Sequence, residues 1–541
     1  MSSDLDPLRL LAAPIEQILT CGGDTRLVLD PVSRLNGYGC RPFPRPEAFT
    51  FASSTATSIS GRAYAAAAAA RQALQRDAIA RGFHRAFDTH MDAIRDELKR
   101  LLGLEGSGCE IVFSPSGTDA QLHALFIARA VLGTPLVSII AAADETGSGS
   151  VYATTGRHFN AVTASGVAVA KGEAIEGMAD GVDSIAIPLR TEIGLQRSSE
   201  QVDGEIRSAI ARSFAAKRRV LLFAMDSSKF GLRSPSIDCL RWIGAAAGKD
   251  ALVVVDAAQM RLGLNRLRSY VEQSFIVLIT GSKFFTGAPF SGALLLPPVV
   301  AEHCRTLVSV PAGMRDYTNA SDWPPSFSGL RAALPSRSNL GQWARWVAAL
   351  EEMRAYFAVP KPFRQLALRQ FSEAVPRLIA AESSCEALNF DGEPAGDSDD
   401  EEWAVRTVFP FFVRRSDRLM PQAQTTTLYR ALNDDVAALL PTTLPPMLRL
   451  LGARRCHIGQ PVAVADGPYR IVGALRISAG ARVVSETWHQ DALLARENLR
   501  AEFDQVRAIL EKIRLLARYF EDIEPAHGHP ATPPQHRVSA A

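Results

Sequence analysis

The sequence lacks the features that mark a disulfide-stapled, membrane-spanning or nucleic-acid-binding protein. Its 541 residues include seven cysteines, an odd number, and none of them forms a Cys-x-x-Cys pair. This argues against a disulfide framework and against a thiolate zinc site, so we expect no metal. No apolar run approaches the ~18 residues that suggest a membrane span. With 59 basic and 57 acidic residues, the net charge of +2 gives no reason to expect nucleic acid or an anionic membrane as partner.

The first 20 residues also lack a basic segment ahead of an apolar core, which is the pattern of a secretory signal. We therefore expect a cytoplasmic protein whose function resides in a site and not in its surface charge. A chain of 541 residues is longer than one compact domain usually holds, which favours two packed domains with extensions.

Short apolar runs bounded by turn residues alternate with helical stretches between about residues 110 and 300. The runs lie at 111–113, 136–141, 220–224, 252–255, 275–279 and 292–296. They predict buried strands of a mostly parallel sheet, and hence an α/β fold. Further helices are predicted at 62–102, 340–356, 363–382 and 491–519, and strands at 405–413 and 469–477. The acidic, breaker-rich segment 391–402 predicts a mobile loop, and 524–541 a disordered tail.

The first candidate site follows the apolar run at 111–113. Ser116, Gly117 and Thr118 come next, and an apolar helical stretch starts at once. A helix N-terminus offers unpaired N–H groups and a positive dipole end, and a glycine there lets the backbone approach an anion. The two hydroxyls add donors. The segment is a candidate phosphate site, although a capped helix after a strand has the same pattern.

Two further segments place a charged residue directly after a buried strand. Asp256 lies at the strand end where open α/β sheets bind ligands, and a carboxylate there can hold a protonated pyridine nitrogen. Lys283, 27 residues later, follows a second apolar run, where burial would lower its pKa and suit a Schiff-base amine. Each has an ordinary alternative: Asp256 as a helix N-cap, and Lys283 as a surface residue.

In this order, the phosphate loop, the strand-end Asp and the strand-flanked Lys resemble the class V aminotransferase and cysteine desulfurase-like branch of the fold-type I pyridoxal 5′-phosphate (PLP) enzymes. The resemblance covers roughly residues 45–490. It implies that PLP forms a Schiff base with Lys283 and that Gln259 faces the phenolic oxygen of the cofactor. The cofactor-binding residues that it implies are Ser116, Gly117, Thr118, Asp256, Gln259, Ser282 and Lys283.

The resemblance also implies the architecture and the substrate side of the site. We expect an N-terminal extension (1–60), a large PLP-binding domain (61–330) with a mostly parallel seven-stranded sheet, a small α+β C-terminal domain (331–523) and a tail (524–541). Arg476 matches the arginine of the family that binds the substrate α-carboxylate, the alternative being a solvated strand arginine. Residues 51–57 resemble the segment that passes the substrate side. Family members are generally homodimers, which implies the same here.

One departure from the family concerns the ring that usually stacks on the pyridine. The strand after the phosphate loop leads into residues 144–149, which contain no ring. His158, thirteen residues after Glu145, is a candidate for this role, and a surface position is the alternative. The Gly-Ser-Gly stretch at 147–149 could instead approach the cofactor or the site of a neighbouring subunit.

The reaction stays open between three functions. Amino-group transfer, or a related lyase or epimerase step, on a carboxylate-bearing amino acid needs only the PLP residues and Arg476, with Lys283 as the base at Cα. A catalytically silent PLP-fold scaffold would predict loss of Lys283 or Asp256, and both are present.

Sulfur transfer from cysteine is the third function, and it needs a thiolate on a loop ahead of the arginine. Cys456 lies twenty residues before Arg476, and Arg454, Arg455 and His457 would lower its pKa. The alternative is that this cysteine is a small buried hydrophobic residue.

Overall fold

The computed structural model describes residues 7–246, 248–390 and 400–528. These residues contain 13 β-strands. In chain order the strands are β1 (Ala48–Phe51), β2 (Glu110–Ser114), β3 (Leu136–Ala141), β4 (Val182–Ile187), β5 (Arg219–Met225), β6 (Ala251–Asp256), β7 (Ile276–Thr280), β8 (Gly292–Leu296), β9 (Cys385–Ala387), β10 (Val408–Arg415), β11 (Arg418–Leu419), β12 (Arg455–Ala465) and β13 (Ile471–Ser478).

The same residues contain 18 α-helices. They are α1 (Pro7–Ala12), α2 (Ile15–Leu19), α3 (Gly61–Arg81), α4 (Phe83–Leu101), α5 (Gly117–Leu132), α6 (Ser150–Ala153), α7 (Ser199–Ala215), α8 (Ile237–Ala246), α9 (Leu264–Glu272), α10 (Pro298–Arg305), α11 (Ser328–Ala333), α12 (Leu340–Ala358), α13 (Lys361–Ala381), α14 (Gln422–Leu432), α15 (Pro446–Ala453), α16 (Ala481–Ser485), α17 (Ala492–Arg518) and α18 (Phe520–His527).

A seven-stranded sheet contains all six strands predicted between residues 110 and 300, together with β4. Its order is β2-β8-β7-β6-β5-β3-β4, and every pair is parallel except those of β8. Alternate residues of β6 join two separate hydrophobic clusters, Val253 and Val255 on one face and Leu252 and Val254 on the other. Because both faces are covered, these strands are continuous apolar runs. The predicted α/β class and mostly parallel seven-stranded sheet are confirmed.

A second sheet joins the two ends of the chain. Its strands run in the order β1-β12-β13-β10-β11, and β9 pairs with β10. Strand β1 pairs in parallel with β12, Ala48 opposite Arg455, whereas β12, β13 and β10 are antiparallel. The segment after β1 is thereby held beside β13, where a bridge joins Ala52 to Ser478.

The helix predicted at 62–102 is two helices. Gly82 separates α3 from α4 with a φ of +84°, a left-handed conformation that glycine adopts without steric cost. Both α3, which is rich in alanine, and α4, which is amphipathic, have a helical sequence pattern. A single glycine between them does not interrupt that pattern, so the sequence predicted one helix.

A buried arginine fixes the N-terminal segment to the rest of the molecule. Arg345, in the middle of α12, is completely buried. Its guanidinium donates to the carbonyl oxygens of Leu19 (3.1 Å), Cys21 (2.5 Å), Gly22 (3.0 Å) and Phe290 (2.7 Å). The residues after α2 are therefore held against the turn that leads into β8.

Part of the predicted acidic loop (391–402) and most of the predicted tail (524–541) lie outside the described residues. Residues 400–402 are described, and residues 524–527 belong to α18 and so are helical. Within the described ranges, no helix is both long and apolar enough to cross a bilayer.

Candidate active site

A cavity of about 350 Å³ opens at the carboxyl ends of β5, β6 and β7, whose last residues Met225, Asp256 and Thr280 line it. This is the edge at which open α/β sheets bind ligands. Eight of the ten predicted site residues line this one cavity: Ser116, Gly117, Thr118, Asp256, Gln259, Ser282, Lys283 and Arg476.

The loop between β2 and α5 forms one end of the cavity. Ser116 caps α5: its Oγ accepts from the N–H of Asp119 (3.2 Å) and donates to the Asp119 carboxylate (2.5 Å). Thr118 lies in the first turn of the same 16-residue helix. The start of the helix thus lines the cavity together with two hydroxyls, and a helix N-terminus of this kind binds anions.

Arg26 and Tyr38, from the N-terminal extension, complete this end. The Arg26 Nη atoms lie 3.4 Å from the Ser116 Oγ, 3.5 Å from the Thr118 Oγ1 and 3.2 Å from the Tyr38 hydroxyl. Asp24 pairs with the same guanidinium at 2.5 Å. Although burial lowers the pKa of Arg26, Tyr38 and Asp24 raise it above its ordinary value. Sequence reasoning missed Arg26, since no local motif marks a residue that lies 90 positions before its partner Ser116.

Asp256 lies in the floor of the cavity. Its carboxylate accepts from the backbone N–H of Ala258 (3.1 Å) and from the Gln121 Nε2 (3.0 Å). No helix begins at Asp256, because α9 starts at Leu264, so the N-cap alternative does not apply. Burial raises the pKa of this carboxyl, and the charge of Lys283 opposes that rise.

Lys283 lies in the turn after β7 and lines the cavity, so it is not a surface lysine. Among the described residues its Nζ has no hydrogen-bond or ion-pair partner. Burial lowers the pKa of this amine to about 8, against the opposing charge of Asp256. A lysine that is partly neutral near physiological pH can act as a nucleophile or a base.

Gln259 connects the cavity floor to the segment after β1. Its Nε2 donates to the backbone oxygen of Ser54 at 3.1 Å, and its Oε1 accepts from Arg261. Ser54 and Thr55 also line the cavity, as expected of residues 51–57. The Ser54 Oγ is buried and has no partner within the described part of the chain.

Arg476, on β13, lines the cavity and is not a solvated arginine, being only 2% exposed. Its Nη2 donates to the Thr55 hydroxyl (3.0 Å) and the Gln460 carbonyl (2.7 Å), and its Nη1 to the Lys229 carbonyl (3.3 Å). The Nε is buried and has no partner among the described atoms. Burial lowers the pKa of Arg476 to about 10.

Lys229 is a second lysine of the cavity. It follows Ser227 and Ser228 after β5. Burial, Arg476 and Lys283 together lower its pKa to about 8. Our sequence-based prediction did not select this lysine.

His158 does not line the cavity. Its backbone pairs with Glu173 and Gly172 across a hairpin-like loop, and its Nδ1 lies 2.6 Å from the Tyr317 hydroxyl. The rings of His158 and Tyr317 stack at 5.9 Å. The loop that holds His158 therefore directs the ring away from the proposed stacking position, and residues 145–148 line the cavity instead.

Cys456 does not line the cavity either, and it lies on a strand instead of the expected loop. It is completely buried in β12, opposite Phe49 of β1. Burial raises the pKa of the thiol to about 11, although Lys512 and Arg454 oppose the rise. The expectation of a lowered pKa is wrong, because desolvation of the thiolate outweighs the nearby positive charges.

Comparison with models of known protein families and with curated proteins finds no match for this chain. Solved structures that resemble it include Oryza sativa TDC with PLP and tryptamine (15% identity, 85% of this chain and 83% of that chain, TM-score 0.47). A cystine C–S lyase, C-DES, bound to its product cysteine persulfide, matches with 14% identity, coverage of 85% and 98%, and a TM-score of 0.49. The Escherichia coli cysteine desulfurase CsdA matches with 12% identity, coverage of 88% and 96%, and a TM-score of 0.47. At these identities the likeness concerns the fold alone.

Proposed function

We propose that this protein is a PLP-dependent enzyme that transforms a carboxylate-bearing amino acid, with the cofactor attached to Lys283. The observation that carries the proposal is the convergence of Lys283, Asp256, the 116–118 loop and Arg476 on one cavity. These residues are distant in sequence, and each had an ordinary alternative when taken singly. When bound, PLP withdraws electrons from the Cα of an amino-acid substrate and so labilises its bonds.

The residues present fit this cofactor at three places. The phosphate matches the α5 N-terminus with Ser116 and Thr118, where Arg26 adds a guanidinium. The buried Asp256 carboxylate has no ion-pair partner within 4 Å among the described residues, and a protonated ring nitrogen would supply the missing charge. The Lys283 amine, likewise without a partner, is available for covalent attachment.

Two side chains of the cavity support a role toward the substrate. Lys283, with a pKa lowered to about 8, is suited to take a proton from Cα and return it. Arg476 has a buried Nε–H without a partner among the described atoms, and a charged N–H donates a strong hydrogen bond to a carboxylate. Arg476 therefore orients the amino acid by its α-carboxylate.

Among PLP reactions, these residues favour amino-group transfer or a related lyase or epimerase step. Sulfur transfer through Cys456 would require its thiol to leave the β1–β12 pair and to ionise despite a pKa of about 11. A silent scaffold gives no reason for Lys283 and Asp256 to share a cavity. The family resemblance further suggests a homodimer, which sedimentation equilibrium would test.

Cofactor attachment is tested by borohydride reduction of the PLP-loaded protein followed by peptide mass spectrometry. We expect absorbance near the visible–ultraviolet boundary and a reduced adduct on Lys283. Lys229→Ala, which removes the other lysine of the cavity, keeps the adduct, and Lys283→Ala loses it. A colourless wild-type protein, or an adduct on Lys229, contradicts the proposal.

The type of reaction is tested with a panel of amino acids added to the loaded protein, followed by absorbance and product analysis. Cys456→Ala should leave the spectral changes and products as in the wild type. Sulfide release from cysteine that disappears in this variant, while its stability is retained, would favour sulfur transfer instead.

A further inference from the structure

The cavity contains two positively charged side chains that lack a close counter-charge in the described part of the protein. Lys229 and Arg476 both line it, and the Arg476 Nη1 donates to the Lys229 carbonyl at 3.3 Å. Neither side chain has a carboxylate within ion-pair distance in the described parts of the chain. Burying charge without a counter-charge is costly, so the pair indicates that a ligand supplies negative charge.

Two acidic side chains, Glu145 and Asp144, attract Lys229 at longer range, and both are hydrogen-bonded to other partners. Glu145 accepts from Arg190 at 3.2 Å and from the Ser228 hydroxyl at 2.5 Å, and burial raises its pKa to about 7. Asp144 accepts from the backbone N–H groups of residues 189 and 190. The remaining cation–carboxylate pair of the cavity, Arg26 with Asp24, lies at the α5 end.

The proposed cofactor does not account for Lys229. It uses Lys283 for attachment and Asp256 for the ring nitrogen, and the substrate α-carboxylate accounts for Arg476. A further buried arginine behind the site, Arg261, donates only to neutral oxygens and so adds to the positive charge. One ammonium therefore remains without a negative partner.

We infer that the substrate is an acidic amino acid, with its α-carboxylate on Arg476 and a second carboxylate on Lys229. The inference rests on the proposed function and specifies its substrate class. Burial, Arg476 and Lys283 lower the pKa of Lys229 against the attraction of Glu145 and Asp144, and a second carboxylate on the ligand supplies the close counter-charge that a monocarboxylate bound to Arg476 does not. Lys229 is then a residue that selects the substrate.

The test measures binding of unreactive carboxylates to the PLP-loaded protein by titration calorimetry. Succinate and glutarate are compared with butyrate and valerate, which have the same chain lengths and one carboxylate fewer. For the wild type we expect the dicarboxylates to bind about tenfold more tightly, as a charge-assisted contact would provide. In Lys229→Gln the ratio of the monocarboxylate Kd to the dicarboxylate Kd should fall close to one, while the monocarboxylate Kd changes less than about twofold.

Two variants make the result specific. Lys229→Arg retains the positive charge and should retain most of the preference. Lys217→Gln, at an exposed lysine outside the cavity, should behave as the wild type. A wild type that binds mono- and dicarboxylates equally overturns the inference, as does a preference that survives in Lys229→Gln. So does equal weakening of both ligand classes in that variant, which would make Lys229 a structural or proton-transfer residue.

Failure of the proposed function has a different signature. In that case the wild type takes up no PLP and no borohydride adduct forms. A coloured, reducible protein without preference for dicarboxylates contradicts only the assignment of Lys229.

Discussion

At the scale of single residues, the lowered pKa of Lys283 has a kinetic consequence. Only the neutral amine attacks an aldehyde, so PLP uptake by the cofactor-free protein should follow the fraction of neutral Lys283. With a pKa of about 8, lowered by burial, that fraction rises with pH and levels off above about 9. We expect the uptake rate to increase about tenfold between pH 7 and pH 9 and then to level, measured by stopped-flow absorbance.

An ordinary lysine would give a different profile. Its rate would still be rising at pH 10, since its pKa lies near 10.4. Such a profile would contradict the buried environment found for Lys283. Lys283→Ala serves as the control, because it should show no absorbance change from covalent attachment of PLP at any pH.

Arg26 is the second residue with a measurable role. If its guanidinium contacts the phosphate beside Ser116 and Thr118, Arg26→Gln should weaken PLP binding about tenfold and leave the binding of pyridoxal, which has no phosphate, almost unchanged. Equilibrium fluorescence titration with both compounds checks this. Arg34→Gln, an exposed arginine of the same segment, is the matched control. Equal weakening of both compounds would show that Arg26 supports the fold instead.

At the scale of elements, two glycine-to-alanine substitutions should change the free energy of unfolding in opposite directions. One lies at the junction between α3 and α4, and the other lies in α7. Gly82→Ala forces a side chain into a φ of +84° and should lower the free energy of unfolding by about 1 kcal/mol. Gly204→Ala lies in the exposed interior of α7, has no neighbour within 4 Å of the added methyl, and should raise it by about 1 kcal/mol. Urea unfolding measures both, and equal signs would contradict the helix break.

The elements also explain how far the sequence was predictive. Strands covered on both faces, such as β3 and β6, appear as continuous apolar runs and were predicted to within a residue or two. The edge strand β4 contains exposed Asp183 and Ser184 and was missed. Strand β12 was missed because Gly459 and Pro461 interrupt its pattern, and its pairing has an irregularity at that point.

At the scale of the whole molecule, the site was predictable where each residue belongs to a motif and not where a distant segment supplies it. Asp256 and Lys283 follow strands that the sequence identifies, so their convergence followed from the topology of a parallel sheet. Arg26 reaches the cavity from a segment whose carbonyls are bound by Arg345 and Asn339. A contact of this kind depends on tertiary packing, for which a single sequence has no periodic signal.

The role of Arg345 can be measured. Arg345→Met leaves the carbonyls of Leu19 and Cys21 without their side-chain donor and Gly22 with Asn339 alone, and should lower the free energy of unfolding by about 3 kcal/mol or more. It should also weaken PLP binding as Arg26→Gln does, because Arg26 follows these residues. Arg354→Met, an exposed arginine on the same helix, should cost less than about 1 kcal/mol. Denaturant unfolding and PLP titration test both, and unchanged PLP affinity in Arg345→Met contradicts the coupling.

The pairing of β1 with β12 has a consequence for how the molecule is made. Ala48 pairs with Arg455, so at a synthesis rate of about 5–20 residues per second the ribosome needs about 20–80 s to supply the partner of β1. Lys283 and the 116–118 loop emerge well before that time. Arg476 and the final position of residues 52–56 come only with the last strands. The nascent chain therefore contains Lys283 and the 116–118 loop before Arg476, and the cavity becomes complete only after β13 has been synthesised.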